Sequence, residues 1–100
     1  MLPRNRRPTS PGEILRHEFL GPLGLSQKAL AAALGITRVR LSEILRGKRG
    51  ITPDTAFRLA RFFETTPEFW LGLQTDLDLW DTLQIHGEEY LKIKPVETAA

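Results

Sequence analysis

Apolar residues recur along most of the chain at the three-and-four-residue spacing of an amphipathic helix, and short polar breaks divide them into stretches. A serine or threonine precedes each stretch, and its side chain can accept a hydrogen bond from an amide in the first helical turn. Proline follows three of these residues, at the first helical position, where its missing N–H costs nothing. The caps predicted in this way are Ser10, Ser26, Thr37, Thr52 and Thr66. The pattern therefore predicts an all-α protein of five helices.

Glycines predict where several of these helices end. The first helix is expected to stop within GPLG (residues 21–24), the second at Gly35 and the third at Gly47, because glycine adopts the positive φ angle that often follows a helix. The fourth is expected to run to about Glu64, and the fifth to end before Gly87.

The two ends of the chain differ in composition from its middle. Residues 1–9 contain prolines and arginines but little to bury, which predicts a flexible basic arm. Residues 10–86 form the predicted folded domain. Residues 87–100 are expected to be a weakly ordered C-terminal tail, in which YLKIKPV is a candidate short strand.

The overall composition is that of a soluble globular domain, with 41% hydrophobic and 26% charged residues. A domain of this size buries only about two thirds of its unfolded surface, so association with a second copy would stabilise it. The absence of cysteine excludes disulfides, thiol nucleophiles and cysteine-bound zinc, and suits a reducing cytosol. No apolar run approaches the roughly 18 residues of a membrane helix. We expect a soluble cytoplasmic protein with no membrane partner.

The net charge of +2 conceals an uneven distribution. Residues 1–61 hold 12 lysines and arginines against 4 acidic residues (net +8), whereas residues 62–100 hold 2 against 8 (net −6). The basic part suits contact with a polyanion, and the acidic part suits a second, different partner. Charge preferences at helix ends remain an alternative explanation.

Residues 27–44 carry the pattern of a helix-turn-helix. Each of its two short helices has one apolar face, Ile36 can fill the turn between them, and Ala31 leaves room where they cross. Gly35 supplies a turn conformation that a residue with a Cβ resists. The apolar pairs are Leu30 with Leu34 and Leu41 with Ile44.

The segment LSQKALAAALGITRVRLSEILRGK resembles the helix-turn-helix of the phage-repressor-like, Xre-type family. The flanking segments SPGEILRHEFLGPLGLS and TPEFWLGLQ extend the resemblance to HigA-type antitoxins, over about residues 10–80. This resemblance implies a five-helix phage-repressor-like domain that serves as the antitoxin of a type II toxin–antitoxin module. Such an antitoxin neutralises a HigB/RelE-like toxin that cuts mRNA. It also represses its own operon by binding a palindromic double-stranded DNA operator as a homodimer.

In a helix-turn-helix, the second helix enters the major groove by its N-terminal part, and the first crosses the DNA backbone. With Leu41, Ile44 and Leu45 turned inward, the side chains that face outward are candidates for reading bases: Thr37, Arg38, Arg40, Ser42 and Glu43. The candidates for phosphate contacts lie nearer the helix ends: Gln27, Lys28, Arg46, Lys48 and Arg49. An ordinary solvated surface is the alternative for both groups.

The arm and the fifth helix hold further candidates. Arg4, Arg6 and Arg7 either enter an adjacent minor groove or remain free of the DNA. The resemblance places dimerisation on the fifth helix, where the candidate residues are Phe69, Trp70, Leu73, Leu77 and Trp80. Packing within the chain is the alternative for the aromatic ones.

Catalysis is not expected. Neither His17 nor His86 belongs to an HExxH motif or a Ser–His–Asp set, and the sequence has no glycine-rich phosphate loop. No catalytic residue, metal ion or cofactor is predicted. Two alternatives to an antitoxin remain open: a stand-alone repressor without a toxin partner, and an interaction adaptor that does not bind DNA.

Overall fold

The computed structural model describes residues 6–97, which form five helices and no strand. Helix α1 is continuous through an α-helical segment, a π-helical turn and a second α-helical segment: Pro11–Ile14, Leu15–Leu20 and Gly21–Leu23. The others are α2 (Gln27–Leu34), α3 (Arg38–Leu45), α4 (Pro53–Phe63) and α5 (Pro67–Leu91). The all-α, five-helix prediction is confirmed.

All five predicted caps begin a helix. Each serine or threonine hydroxyl accepts a hydrogen bond from the amide three residues later, at distances of 3.0 to 3.3 Å. Such a cap stabilises a helix by about 1 kcal/mol, because it satisfies an amide that has no partner within the helix. The caps thereby fix the start of every element, including the helix-turn-helix.

Helix α1 contains Pro22, which would normally break a helix. Its ring would clash with the carbonyl of Glu18 in a regular α-helix, and it has no N–H to donate. The π-helical turn widens the helix before this point, and the Gly21 N–H donates to the carbonyl of Arg16. Helix α1 then ends at Gly24, which has φ 61°.

A single apolar core joins all five helices. Each contributes a side chain that is at most 1% exposed: Leu15, Leu30, Leu41, Leu59 and Trp70. The Trp70 ring contacts Phe19 and Phe63, and its Nε1 donates to Thr65 Oγ1 at 2.8 Å.

Helix α1 approaches the end of α3 closely at Gly12. A Cβ on Gly12 would lie 2.3 Å from the carbonyl oxygen of Ile44 and 2.8 Å from that of Leu45. Arg16, one turn later, donates from Nη2 to the Leu45 carbonyl at 3.2 Å. The C-terminal end of α3 is therefore seated directly on α1.

The fifth helix is longer than the sequence predicted. It passes through Gly87 to Leu91, so the prediction that Gly87 ends it was wrong. One glycine costs only about 1 kcal/mol relative to alanine in a helix, and no proline follows before Pro95. The strand proposed for YLKIKPV is also absent from the described residues, because Tyr90 and Leu91 are helical.

Of the predicted flexible arm, residues 6–9 lie in the described part of the chain, and Arg7 among them contacts α5. Arg7 donates from Nε and Nη2 to the two carboxylate oxygens of Asp81, at 2.8 and 2.9 Å. These hydrogen bonds hold the pKa of the Asp81 carboxyl below its usual value. Arg4 and residues 98–100 fall outside the described part of the chain. Among the helices described, none is both long enough and apolar enough to span a membrane.

Candidate nucleic-acid interface

Helices α2 and α3 form the predicted helix-turn-helix. Gly35 adopts φ 72° at the turn, and the Ile36 N–H donates to the Ala31 carbonyl at 3.1 Å. Ala31 is buried where the helices cross, and Ile36 packs against the core. The inner apolar faces are buried as expected, at Leu30, Leu34, Leu41, Ile44 and Leu45. Burial on one side fixes which side of α3 faces outward.

The outward side of α3 forms a shallow groove together with the start of α2. Arg38, Ser42 and Arg46 lie four residues apart and so follow one line along the helix. They line a concave space of about 310 Å³ with Gln27 and Val39. The structure thus brings two predicted base readers beside two predicted phosphate contacts.

Val39 was not among the predicted site residues. It is 69% exposed on α3, although it is aliphatic. An exposed methyl-bearing side chain at this position suits contact with the methyl group of thymine. The sequence did hold a signal, because Val39 lies outside the apolar face that Leu41, Ile44 and Leu45 define.

Arg40 does not share this groove. Its Nη2 donates to Asp54 Oδ2 at 3.0 Å and to Thr55 Oγ1 at 2.6 Å, and its side chain is only 27% exposed. Asp54 also accepts from Arg58, and the hydrogen bonds from Arg40 and Arg58 hold the pKa of its carboxyl below the usual value. Thr37 caps α3 through its hydroxyl, which leaves its methyl group for outside contact.

Glu43 tethers the loop after α3. Its Oε1 accepts from Arg49 Nε and Nη2, at 3.1 and 2.8 Å, and its carbonyl accepts from the amides of Lys48 and Arg49. Glu43 thus pairs with Arg49, whose side chain is still 51% exposed; Lys28, Arg46 and Lys48 are exposed as well. The loop that carries Lys48 and Arg49 is therefore held in place by an acidic residue of α3.

The five predicted dimer residues divide into two groups. Trp70 and Leu77 are buried within the chain, so assigning these two to a dimer surface was wrong; they stabilise its own fold. Helical spacing reveals an apolar face but not whether the chain itself covers it. Leu73 is half-buried against the core, and Phe69 and Trp80 remain partly exposed. The buried Nε1 of Trp80 has no hydrogen-bond partner within residues 6–97.

A helix-turn-helix with a buried inner face and a cationic outer face defines the class of helix-turn-helix DNA-binding proteins. The chain belongs to the helix-turn-helix family, whose model matches residues 17–70.

Within that family the chain is HigA-like. It is 44% identical to antitoxin HigA-1 of Vibrio cholerae serotype O1, over 96% of this chain and 90% of the relative. The solved structure of antitoxin GraA in complex with its operator matches with a TM-score of 0.86 and 43% identity, over 98% of this chain and all of that one. An uncharacterised HTH-type transcriptional regulator of Haemophilus influenzae is 53% identical over 76% of this chain and 71% of its own length. The HigA-type resemblance seen in the sequence is confirmed.

Proposed function

We propose that this protein is an antitoxin that binds a palindromic operator as a homodimer, represses its own operon and neutralises a RelE-like mRNA-cutting toxin. The observation that carries the DNA-binding part is the groove of Arg38, Val39, Ser42, Arg46 and Gln27 on a helix whose opposite face is buried. The likeness to an antitoxin bound to its operator supports both halves of the proposal.

In this proposal α3 enters the major groove and α2 crosses the backbone. Arg38 contacts guanine through two hydrogen bonds, Val39 contacts a thymine methyl group, and Ser42 and Thr37 contact neighbouring base edges. Glu43 reaches bases only through Oε2, since Oε1 accepts both bonds from Arg49. The phosphate contacts come from Gln27, Lys28, Arg46, Lys48 and Arg49. They add affinity without reading sequence.

The distal half of α5 supplies the proposed dimer contact. Trp80, Leu83, Gly87 and Tyr90 are spaced three, four and three residues apart, which is the apolar repeat of paired helices. Leu83 is 48% exposed and Tyr90 is 44% exposed within one chain. A symmetric pair would place two α3 helices about one DNA turn, roughly 34–36 Å, apart.

The toxin contact is assigned to the acidic half of the chain on charge alone. A toxin that binds and cuts mRNA carries basic residues, because its substrate is a polyanion. Residues 62–100 hold 8 acidic residues against 2 basic ones.

A gel shift with the chain's own promoter tests DNA binding. Between 50 and 200 mM salt, a dimer with about six to ten phosphate contacts is expected to lose about a thousandfold or more in affinity. Absence of a shift at 50 mM would remove DNA binding and leave the adaptor alternative.

Co-expression with the product of the adjacent gene tests the antitoxin part. A RelE-like product should arrest growth alone, and this chain should relieve the arrest and co-purify with it. The second candidate is a stand-alone repressor; the 53% identical relative in Haemophilus influenzae is an uncharacterised HTH-type transcriptional regulator, which agrees with repression but does not decide whether a toxin is bound. A solitary gene with no such co-purifying protein would select that candidate.

A further inference from the structure

Three charged residues link α4 to both sides of the helix-turn-helix turn. Asp54 Oδ2 accepts from Arg40 on α3 at 3.0 Å and from Arg58 at 2.9 Å. Arg58 Nη1 donates in turn to the Leu34 carbonyl at the end of α2, at 2.8 Å, and lies 3.4 Å from the Gly35 carbonyl oxygen. One carboxylate therefore connects the last residue of α2 to the first turn of α3.

Arg40, Asp54 and Arg58 together form a clamp across the turn, and this clamp is anchored in the folded interior. Thr55, which accepts the second hydrogen bond from Arg40, is 2% exposed. Its hydroxyl lies 3.3 Å from that of Thr52, the cap of α4. Because Thr55 and Thr52 are fixed by the start of α4, the position of Arg40 is fixed as well.

The hydrogen bonds of Arg40 limit what else it can bind. A guanidinium grips guanine through two adjacent N–H groups, and both of its two-nitrogen edges include Nη2. The two Nη2 hydrogens are already directed at Asp54 Oδ2 and Thr55 Oγ1. Arg40 can therefore grip a base with two bonds only by leaving the clamp, whereas no hydrogen bond from the described residues restricts Arg38.

We propose that Arg40 is a positioning residue instead of a base reader, and that the clamp of Arg40, Asp54 and Arg58 sets the angle at which α3 meets DNA. Specificity then comes from the groove residues, and the clamp holds all of these residues in position against the base edges. This inference rests on the proposed operator binding and reassigns one residue that the sequence had placed among the base readers.

A double-mutant cycle tests the proposal. Arg40→Ala, Asp54→Asn and the double variant are compared for affinity to the operator and to a scrambled duplex, with every operator position varied in turn. Each single change should lower the operator-to-scrambled ratio by about tenfold, which corresponds to about 1.4 kcal/mol of discrimination. The loss should be spread over all positions, and the double variant should be no worse than either single one.

Arg38→Ala is the matched control, since it removes a neighbouring arginine that lines the groove. It should relax preference at one position only. If Arg40 reads a base, Arg40→Ala should relax the base preference at one operator position, and Asp54→Asn should leave specificity unchanged. That pair of results would overturn the proposal. A ratio that stays at the wild-type value in both clamp variants would also overturn it.

Failure of the proposed function has a different signature. If the wild-type chain binds no operator, the proposed function is lost. The coupling of Arg40 to Asp54 is still tested by thermal unfolding of the wild type, the two single clamp variants and the double variant. Additive destabilisation by the two substitutions would show that Arg40 and Asp54 are not coupled.

Discussion

At the scale of single residues, Arg38 and Lys48 are both exposed cations near α3 but occupy different positions. Arg38 lines the groove on the outward face, and Lys48 lies in the loop beyond the helix. We expect Arg38→Ala to cost about 1–3 kcal/mol of discrimination at one operator position, and Lys48→Ala to weaken all sequences alike. A selection experiment on randomised operators measures both. Identical profiles would contradict the division into reading and phosphate-contacting residues.

The sequence could not separate Arg40 from Arg38, because both follow Thr37 on the polar side of the helix. What separates them is Asp54, fourteen residues away, which only the folded chain brings to Arg40. Glu43 shows the same limit: the sequence placed it among the base readers, and the structure pairs it with Arg49 across the loop. Side-chain partners that depend on tertiary contacts are not encoded in local spacing.

At the scale of elements, the starts of the helices could be predicted almost completely, because capping depends on residues within one turn. The ends were harder to predict. Gly24 and Gly35 adopt positive φ and end their helices, whereas Gly87 continues one. A glycine ends a helix where its left-handed conformation is lower in free energy than its helical one. The neighbouring residues set that difference.

The contact between α1 and α3 gives a prediction for stability. We expect Gly12→Ala to lower the free energy of unfolding by about 1–3 kcal/mol, because the added methyl group meets two backbone carbonyls that cannot move aside cheaply. Gly72→Ala in α5 is the control: its Cβ meets nothing within 4 Å, and it should stabilise the chain by up to about 1 kcal/mol. Denaturant unfolding measures both. Equal effects would show that α1 is not seated on α3.

At the scale of the whole molecule, the chain is elongated, measuring 57 by 26 by 22 Å, because the distal part of α5 extends beyond the helical core. Leu83 and Tyr90 are exposed on this part, whereas Trp70 and Leu77, two of the dimer candidates taken from the resemblance, are buried within one chain. The dimer prediction therefore moves along the helix toward Leu83 and Tyr90.

We expect Leu83→Asp to convert a dimer to a monomer and to lower operator affinity by about a hundredfold, since two linked half-sites bind far better than one. Ile85→Asp introduces the same charge two residues away, outside the apolar repeat of Leu83 and Tyr90, and should leave both properties near wild type. Analytical ultracentrifugation and gel shifts measure the two effects. A Leu83→Asp protein that remains dimeric would place the interface elsewhere.

The groove on α3 has a consequence for how such proteins diverge. Within residues 6–97, no side-chain hydrogen bond involves Arg38, Val39 or Ser42, so replacing them removes no side-chain hydrogen bond of the fold. Under the proposed function, a duplicated gene would acquire a new operator through changes at these positions, and the proposed clamp requires that Arg40 and Asp54 be kept. Several copies in one genome would then bind different promoters while sharing one fold.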